Sequence, residues 1–355
     1  MSEPAPEPTP AALTSIVGPV EARLGRLLDA ETTRWREVDV DLVPPLDVLS
    51  RFVLAGGKRL RPAFCHWAFV GAGGAPDDAM VIDAGAAFEM LHAFALVHDD
   101  VMDGSATRRG DRTVHVEFED AHVAGGWRGE PRRFGEGVAI LVGDLLEVYA
   151  DRLMTAAPTA AFDVWNELKI ELNVGQFLDV LGTARGSTDI AQARRIARYK
   201  SGKYTIERPL HVGAALAGRL DELEGPLSAY GAPLGEAFQL RDDILGVWGD
   251  PRRTGKPVGD DLREGKPTPM LATALERAGA AEAARLARVG ADDLGDDEVA
   301  ELQALLVDLG ARGHIEASIA ALTIEALDAL GRAGLTDEAT AALAELAHYV
   351  ATRDS

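Results

Sequence analysis

Apolar residues in this chain advance by threes and fours almost from end to end, and that period leaves one fold class open. Leu13, Ile16, Val17, Val20, Leu24, Leu27 and Leu28 fall on one helix face. Leu46, Leu49, Phe52 and Val53 do the same, and Gly56-Gly57 stop that run. Long apolar segments follow at 78–103, 136–155, 160–183, 189–220 and 225–249. An alanine- and leucine-rich tail runs from 268 to 353, with turns near Gly290, Gly310 and Gly334. Sustained period-2 alternation is nearly absent and aromatic residues make up only 6%, so strands have little to build on. The reading is all-α, a single-domain bundle of about a dozen helices, an architecture that builds its sites between facing helices.

The opening MSEPAPEPTP, with four prolines and two glutamates, has nothing to bury and reads as a disordered lead over residues 1–10. No linker interrupts residues 11–355, which read as one domain. Loops are expected at 104–135 and at 250–267, where charge and glycine concentrate. A net charge of −21 argues against a nucleic-acid partner, because binding phosphates takes cations. It speaks, with less force, against a stable membrane anchor, since anionic headgroups attract basic surfaces. No apolar run reaches the roughly 18 uncharged residues of a spanning helix. The first residues lack the basic start and apolar centre of a secretory signal, so the cytoplasm is the expected location. One cysteine, Cys65, excludes an intramolecular disulfide framework and a multi-cysteine zinc site.

Two acidic clusters carry the chemistry. LVHDDVMD places Asp99, Asp100 and Asp103 at the end of an otherwise apolar helix. Asp99 and Asp103 stand at i and i+4, where like charges repel, and at a helix C-terminus, where the dipole already disfavours anions. Helix stability gives no reason for that placement. A hard divalent cation does, because magnesium takes carboxylate oxygens and keeps its other positions for water and phosphate. Asp242-Asp243, in AFQLRDDILGVWGD, ends a second apolar run in the same way. In a bundle, two such helices could face each other and hold several magnesium ions between them.

Cations answer the acids at particular places in an acidic chain. GGKRLRP carries Lys58, Arg59 and Arg61, Arg108 and Arg109 follow the first cluster, and Lys200 and Lys203 occur in RYKSGKY. Lys256 and Lys266 follow the second cluster. Arginine forks onto phosphate oxygens and lysine supplies a mobile point charge. Carboxylates alone could store a metal; carboxylates among so many cations suggest a ligand that is itself polyanionic, and diphosphate fits.

In this order the residues resemble the trans-polyprenyl diphosphate synthase family over about 50–270. The family's DDxxD is Asp99-Asp100-Val101-Met102-Asp103, its GGKxxRP is Gly56 to Pro62, and its RRG is Arg108-Arg109-Gly110. Lys200-Ser201, Phe238-Gln239 and Gly255-Lys256 match its later elements. The second acidic motif departs: Asp242-Asp243-Ile244-Leu245-Gly246 lacks the third carboxylate, and Asp250 lies too far along to replace it. The resemblance implies head-to-tail condensation of isopentenyl diphosphate with an allylic diphosphate. It implies magnesium, three ions per site with substrate bound, on Asp99, Asp100, Asp103, Asp242 and Asp243. Arg108, Lys200, Ser201, Gln239, Lys256 and Lys266 would hold the allylic diphosphate. Lys58, Arg61, His92 and Arg109 would hold isopentenyl diphosphate. Asp243 is the less certain to be needed, since the first acid of that motif makes the metal contact in relatives. His98 points about 100° away from Asp99 on the helix and is left out.

In similar enzymes a bulky aromatic five residues before the first motif limits elongation. Here that residue is Phe94, with the small Ala95 beside it, and the motif has no two-residue insertion. The expected product is therefore mainly C20, geranylgeranyl diphosphate. Such a product is lipophilic, which leaves transient membrane contact open. Two rivals stand against this reading. A terpene cyclase of the same architecture would not need a second diphosphate site, and GGKRLRP with His92 favours a synthase. A non-catalytic regulatory subunit would tolerate loss of the acids or of the basic loops, and both are retained. Members of the family are commonly homodimers, which is the expected assembly.

Overall fold

The computed structural model describes residues 10–108, 110–185, 191, 195–251, 257–291 and 293–354. Among these, fifteen α-helices, one 3₁₀ turn and an eleven-residue π-helical segment supply nearly all regular structure. The exception is a two-residue antiparallel pair, β1 (Thr107–Arg108) and β2 (Asp111–Arg112).

The helices before the first acidic cluster are α1 (Ala11–Arg36), α2 (Val43–Leu54), α3 (Leu60–Gly71) and α4 (Ala79–Asp103). The face read from the sequence of α1 is the buried one: Leu13, Ile16, Val20 and Leu24 are all sealed from solvent. Helix α4 is apolar nearly all round, and such a helix belongs at the centre of a fold. It packs against α1, α3 and α6 (Pro131–Leu153), with Phe88, Met90 and Leu91 fully buried. It is also the one described helix long and apolar enough to cross a membrane, with Asp83 and Glu89 the acids inside its apolar stretch; two thirds of that stretch is buried in the protein.

The expected loop at 104–135 is mostly helix, because α5 (Val114–Gly125) and the start of α6 lie within it. Gly135 is the last residue of the expected loop. In the structure it is a crossing point, where a Cβ would overlap the His115 carbonyl of α5. Next come α7 (Thr159–Arg185), the π segment (Ala197–Glu207), α8 (Arg208–Leu216) and α9 (Leu220–Trp248). The second expected loop contains the short α10 (Asp260–Glu264). The tail forms α11 (Pro269–Arg277), α12 (Ala280–Leu286), α13 (Asp296–Asp308), α14 (Ala311–Leu330) and α15 (Asp337–Thr352). Gly290, Gly310 and Gly334 turn there with φ of 83°, 69° and 71°.

Two apolar clusters result. The larger takes in α1 to α8 and the first half of α9, through Leu223, Leu227 and Leu234. The smaller joins the second half of α9, through Ile244 and Val247, to Leu262, Met270, Leu302 and Ile315. Helix α9 runs through both, so the chain has no linker between them.

Candidate active site

The C-terminal halves of α4 and α9 open on one cavity of about 850 Å³. Helix α4 lines it with His92, Ala93 and Leu96, and α9 with Gln239, Asp242, Asp243 and Gly246. Lys58, Arg61, Arg108, Lys200, Ser201 and Lys266 complete the wall. Most of the site residues read from the sequence therefore meet in one place. Lys256 and Arg109 lie outside the described residues.

At the α4 end, Lys200 donates to Asp99 at 2.9 Å and to Asp179 at 2.5 Å, and Gln176 donates to Asp99 at 2.9 Å. Burial pushes the Asp99 carboxyl up, but Lys200, Gln176 and Arg108 together outweigh it and leave the group below its ordinary value. Asp100 turns inward, 1% exposed, and takes a forked Arg108 at 2.7–3.0 Å. Its carboxyl is raised by burial, with Arg108 offsetting part of the rise. Asp103 is pushed up to about 6 by burial and then by Asp99.

At the α9 end, Gln239 donates to Asp243 at 2.9 Å, and Arg353 donates to Asp242 at 2.5 Å. Asp243 is pushed up to about 7, first by burial and then by Asp261 and Asp242. Lys266 pulls down on both Asp103 and Asp243, so one cation feels both acidic ends. Asp99, Asp100 and Asp103 are not themselves in the cavity wall, but Lys200, which lines it together with Asp242 and Asp243, donates to Asp99, so both acidic helix ends border the same cavity.

Local backbone explains how the cations reach the cavity. The π segment is a wide helical turn of the kind found at functional sites. It is clamped by glycines: a Cβ on Gly175 of α7 would stand 2.6 Å from the Lys200 backbone nitrogen. A Cβ on Gly235 of α9 would stand 2.9 Å from Gly202. That seating sends Lys200 to Asp99 and turns Lys203 away, into a pairing with Glu171 that Arg208 shares. In GGKRLRP, Gly56 has φ 87° and Arg59 has φ 53°, a left-handed conformation that needs support in a non-glycine residue. Arg59 has that support, buried against Glu89, with Glu21 at 3.3 Å and the Val53 carbonyl at 3.2 Å. It is a structural cation, and its anchoring presents Lys58 and Arg61 to the cavity on either side. Arg61 donates to Thr205 at 3.0 Å and stacks 4.3 Å over Tyr204, whose ring lies 6.2 Å from His92.

Phe94 and Ala95 are not in the wall of this cavity. Phe94 is buried and meets the His98 ring edge-on at 4.7 Å. The His98 ring lies 3.1 Å from the Ile140 carbonyl, in space that a side chain on Gly143 would take. His98, left out on helical angle, is thus the residue behind Phe94. Sequence reasoning also missed Gln176, Asp179, Asp261 and Arg353. Gln176 and Asp179 stand three apart late in an apolar helix, a pattern like that of the first cluster and available in the sequence. Arg353 sits beyond α15 with no local mark.

The donors suit magnesium. All are carboxylate oxygens, hard ligands. Among the described residues no three acids or imidazoles form a ready-made cage. Magnesium with a phosphate ligand asks for one or two carboxylates from each side rather than a closed cage. Asp99 and Asp103 on one side and Asp242 on the other meet that need.

Comparison with known proteins agrees with this geometry. Residues 45–306 match the Polyprenyl synthetase family. The chain is 34% identical over 311 residues to the geranylfarnesyl diphosphate synthase of Aeropyrum pernix, covering 85% of this chain and 92% of that one. It is 33% identical over 308 residues to the (2E,6E)-farnesyl diphosphate synthase of Mycobacterium bovis, covering 84% and 80%. Its structure resembles the geranylgeranyl pyrophosphate synthase of Corynebacterium glutamicum, crystallised with isoprenyl diphosphate and magnesium, at a TM-score of 0.90 and 36% identity over 96% and 99% of the two chains. With the family matched across the stretch that carries both acidic ends, and the fold matched across nearly all of the chain, this protein belongs to the polyprenyl synthetase family and is a trans-prenyl diphosphate synthase.

Proposed function

We propose that the enzyme condenses isopentenyl diphosphate with allylic diphosphates, mainly to geranylgeranyl diphosphate. The observation that carries the two-substrate reading is the meeting of two sets of groups in one cavity. Asp242, Lys200 and Lys266 line it, and so do Lys58, Arg61 and His92. Asp99, Asp103 and Asp242, with Asp100 and Asp243 beside them, would hold magnesium, three ions when substrate is bound. Bound there, it supplies positive charge to diphosphate oxygens.

The chain's own groups do the rest. Arg108, Lys200, Ser201, Gln239, Lys256 and Lys266 seat the allylic diphosphate and stabilise the negative charge that grows as its C1–O bond breaks. Lys58, Arg61, His92 and Arg109 seat the second diphosphate so that its terminal alkene faces the allylic carbon. The alkene's electron pair forms the new C–C bond. A proton then leaves the neighbouring carbon, with the released diphosphate as acceptor, and the trans double bond closes. Product length is set in this proposal by Phe94, braced by His98. The relatives named above make products of different lengths by their names, so the C20 product rests on Phe94, Ala95 and the uninserted first motif.

The enzyme is proposed to act as a homodimer. Leu141 and Val148 on α6 and Ile170 and Phe177 on α7 are each more than half exposed, and a second copy would cover such a surface.

The purified chain with labelled isopentenyl diphosphate, magnesium and primers of five, ten and fifteen carbons should yield labelled C20 alcohol after dephosphorylation. No label in any product would remove the synthase reading and leave a cyclase. A different main length would remove only the C20 assignment.

A further inference from the structure

On an α-helix, residues five apart point about 140° away from each other. A π turn closes i→i+5 and brings such residues close to one line. The π segment from Ala197 to Glu207 uses this twice. Lys200 and Thr205 both line the cavity, Lys200 donating to Asp99 and Thr205 accepting from Arg61. Lys203 and Arg208 both reach Glu171 of α7, which is not in the cavity wall. Arg208 forks onto that carboxylate with Nε at 2.7 Å and Nη2 at 2.8 Å, and Lys203 shares its Oε1. The Arg208 N–H donates to the Lys203 carbonyl, so an i→i+5 backbone bond joins the same two residues. The Glu171 side chain is only 9% exposed. Burial pushes its carboxyl up, but Arg208 and Lys203 outweigh it and hold the group below its ordinary value. Pro209, the next residue, has no N–H to give to the Thr205 carbonyl, and its ring would clash there, so a straight α-helix could not run through this point.

We propose that Glu171 is a positioning residue: by bridging Lys203 and Arg208 it locks the wide turn, and so keeps Lys200 and Thr205 together on the cavity face. The proposal rests on the diphosphate reading of the cavity and deepens it, because it ties both proposed substrate seats to one carboxylate that touches neither substrate. Relaxing the segment to an α turn would part Lys203 from Arg208. The same rotation would part Lys200 from Thr205, and the two could no longer face the cavity together. Loss of Glu171 should therefore harm both substrates at once, whereas loss of a cavity side chain should harm its own substrate.

The test is steady-state kinetics of the full chain against each diphosphate, with thermal melting alongside. Glu171→Gln keeps the volume and removes the charge. It should raise KM for the allylic and the isopentenyl substrate together, about tenfold each. Lys203→Met leaves the Arg208 fork in place and should raise both by about threefold, which decides the matter if Glu171→Gln does not fold. Lys200→Met should raise the allylic KM alone, and adding Glu171→Gln to it should raise that KM by less than about twofold more. Lys169→Met breaks a different ion pair of α7, with Asp151 at 2.7 Å, and should lower the melting temperature without moving either KM. A rise for one substrate only, unchanged KM values in Lys203→Met, effects of Glu171→Gln and Lys200→Met that simply multiply, or the same joint rise in Lys169→Met would overturn the proposal. A parent-like allylic KM in Lys200→Met would instead remove the diphosphate reading beneath it and take this proposal with it.

Discussion

The ends of α4 and α9 present the same chemistry and are assembled differently. At α4 the three acids come from just over one helical turn, and cations from elsewhere close on them, Lys200 on Asp99 and Arg108 on Asp100. At α9 the helix offers two acids, and the Asp261 carboxylate, lying where a side chain on Gly246 would be, belongs to α10. The cation on Asp242 is Arg353, from beyond the last helix. The electrostatic outcome differs as well. Lys200, helped by Gln176 and Arg108, holds Asp99 low against its burial, whereas burial holds Asp243 high, with Gln239 and Lys266 pulling the other way. A motif complete within one turn can be read locally. A motif shared between helices exists only once they have packed.

The severest test of this contrast removes one acid from each end. Asp99→Ala should lower turnover about a thousandfold at saturating magnesium, since several kcal/mol of charge stabilisation at the leaving group would go with it. Asp242→Ala should cost a similar factor, because both ends must hold the same substrate. Near-normal isopentenyl incorporation by either variant would end the idea of a shared site.

A change in pH separates the two ends without mutation of the first. Asp243, pushed up to about 7 from an ordinary value of 3.8, keeps a proton in the folded protein that the unfolded chain has already released. The unfolded state therefore binds fewer protons across that interval. Stability falls as pH rises from 3.8 to about 7 and levels off above it. Asp103, raised to about 6, adds to the same fall. Asp99 is lowered, so its contribution is present above its ordinary value and is lost only in stronger acid. Asp243→Asn should therefore melt roughly 2–4 °C above the parent at neutral-to-basic pH and level with it in acid, measured by thermal denaturation without metal. A gap that does not change with pH would contradict the raised Asp243.

The smallest effect on rate and the largest on product comes from the apolar side. Phe94→Ala should leave turnover within about threefold while moving products beyond C20, because a buried aromatic is removed without touching a charged group. Chromatography of the dephosphorylated products checks it, and an unchanged distribution would dismiss Phe94 as the floor.

Much of the fold and of the site is legible in the amino-acid sequence. The helical period locates α1, α4, α7 and α9, and the first acidic cluster with its cations is visible because each motif is local. The missing carboxylate at 246 shows there only as a gap. The close approaches at Gly135 and Gly175 could not be read, because a sequence cannot show that a neighbouring backbone passes where their side chains would be. Gln176 and Asp179 carry a helix-spacing signal, while Arg353 and Asp261 carry none.

The order of residues is enough to specify an all-helical chain with acids at the ends of two apolar helices and cations to answer them. Those properties depend on spacings of a few positions, over which backbone geometry is nearly invariant. Folding in three dimensions settles the rest: which cation serves which acid, that Arg59 is a buried brace rather than a ligand, and that the carboxylate beside Gly246 comes from another helix. Those pairings depend on distances of a few ångströms between segments far apart in the chain, and such distances are set by packing.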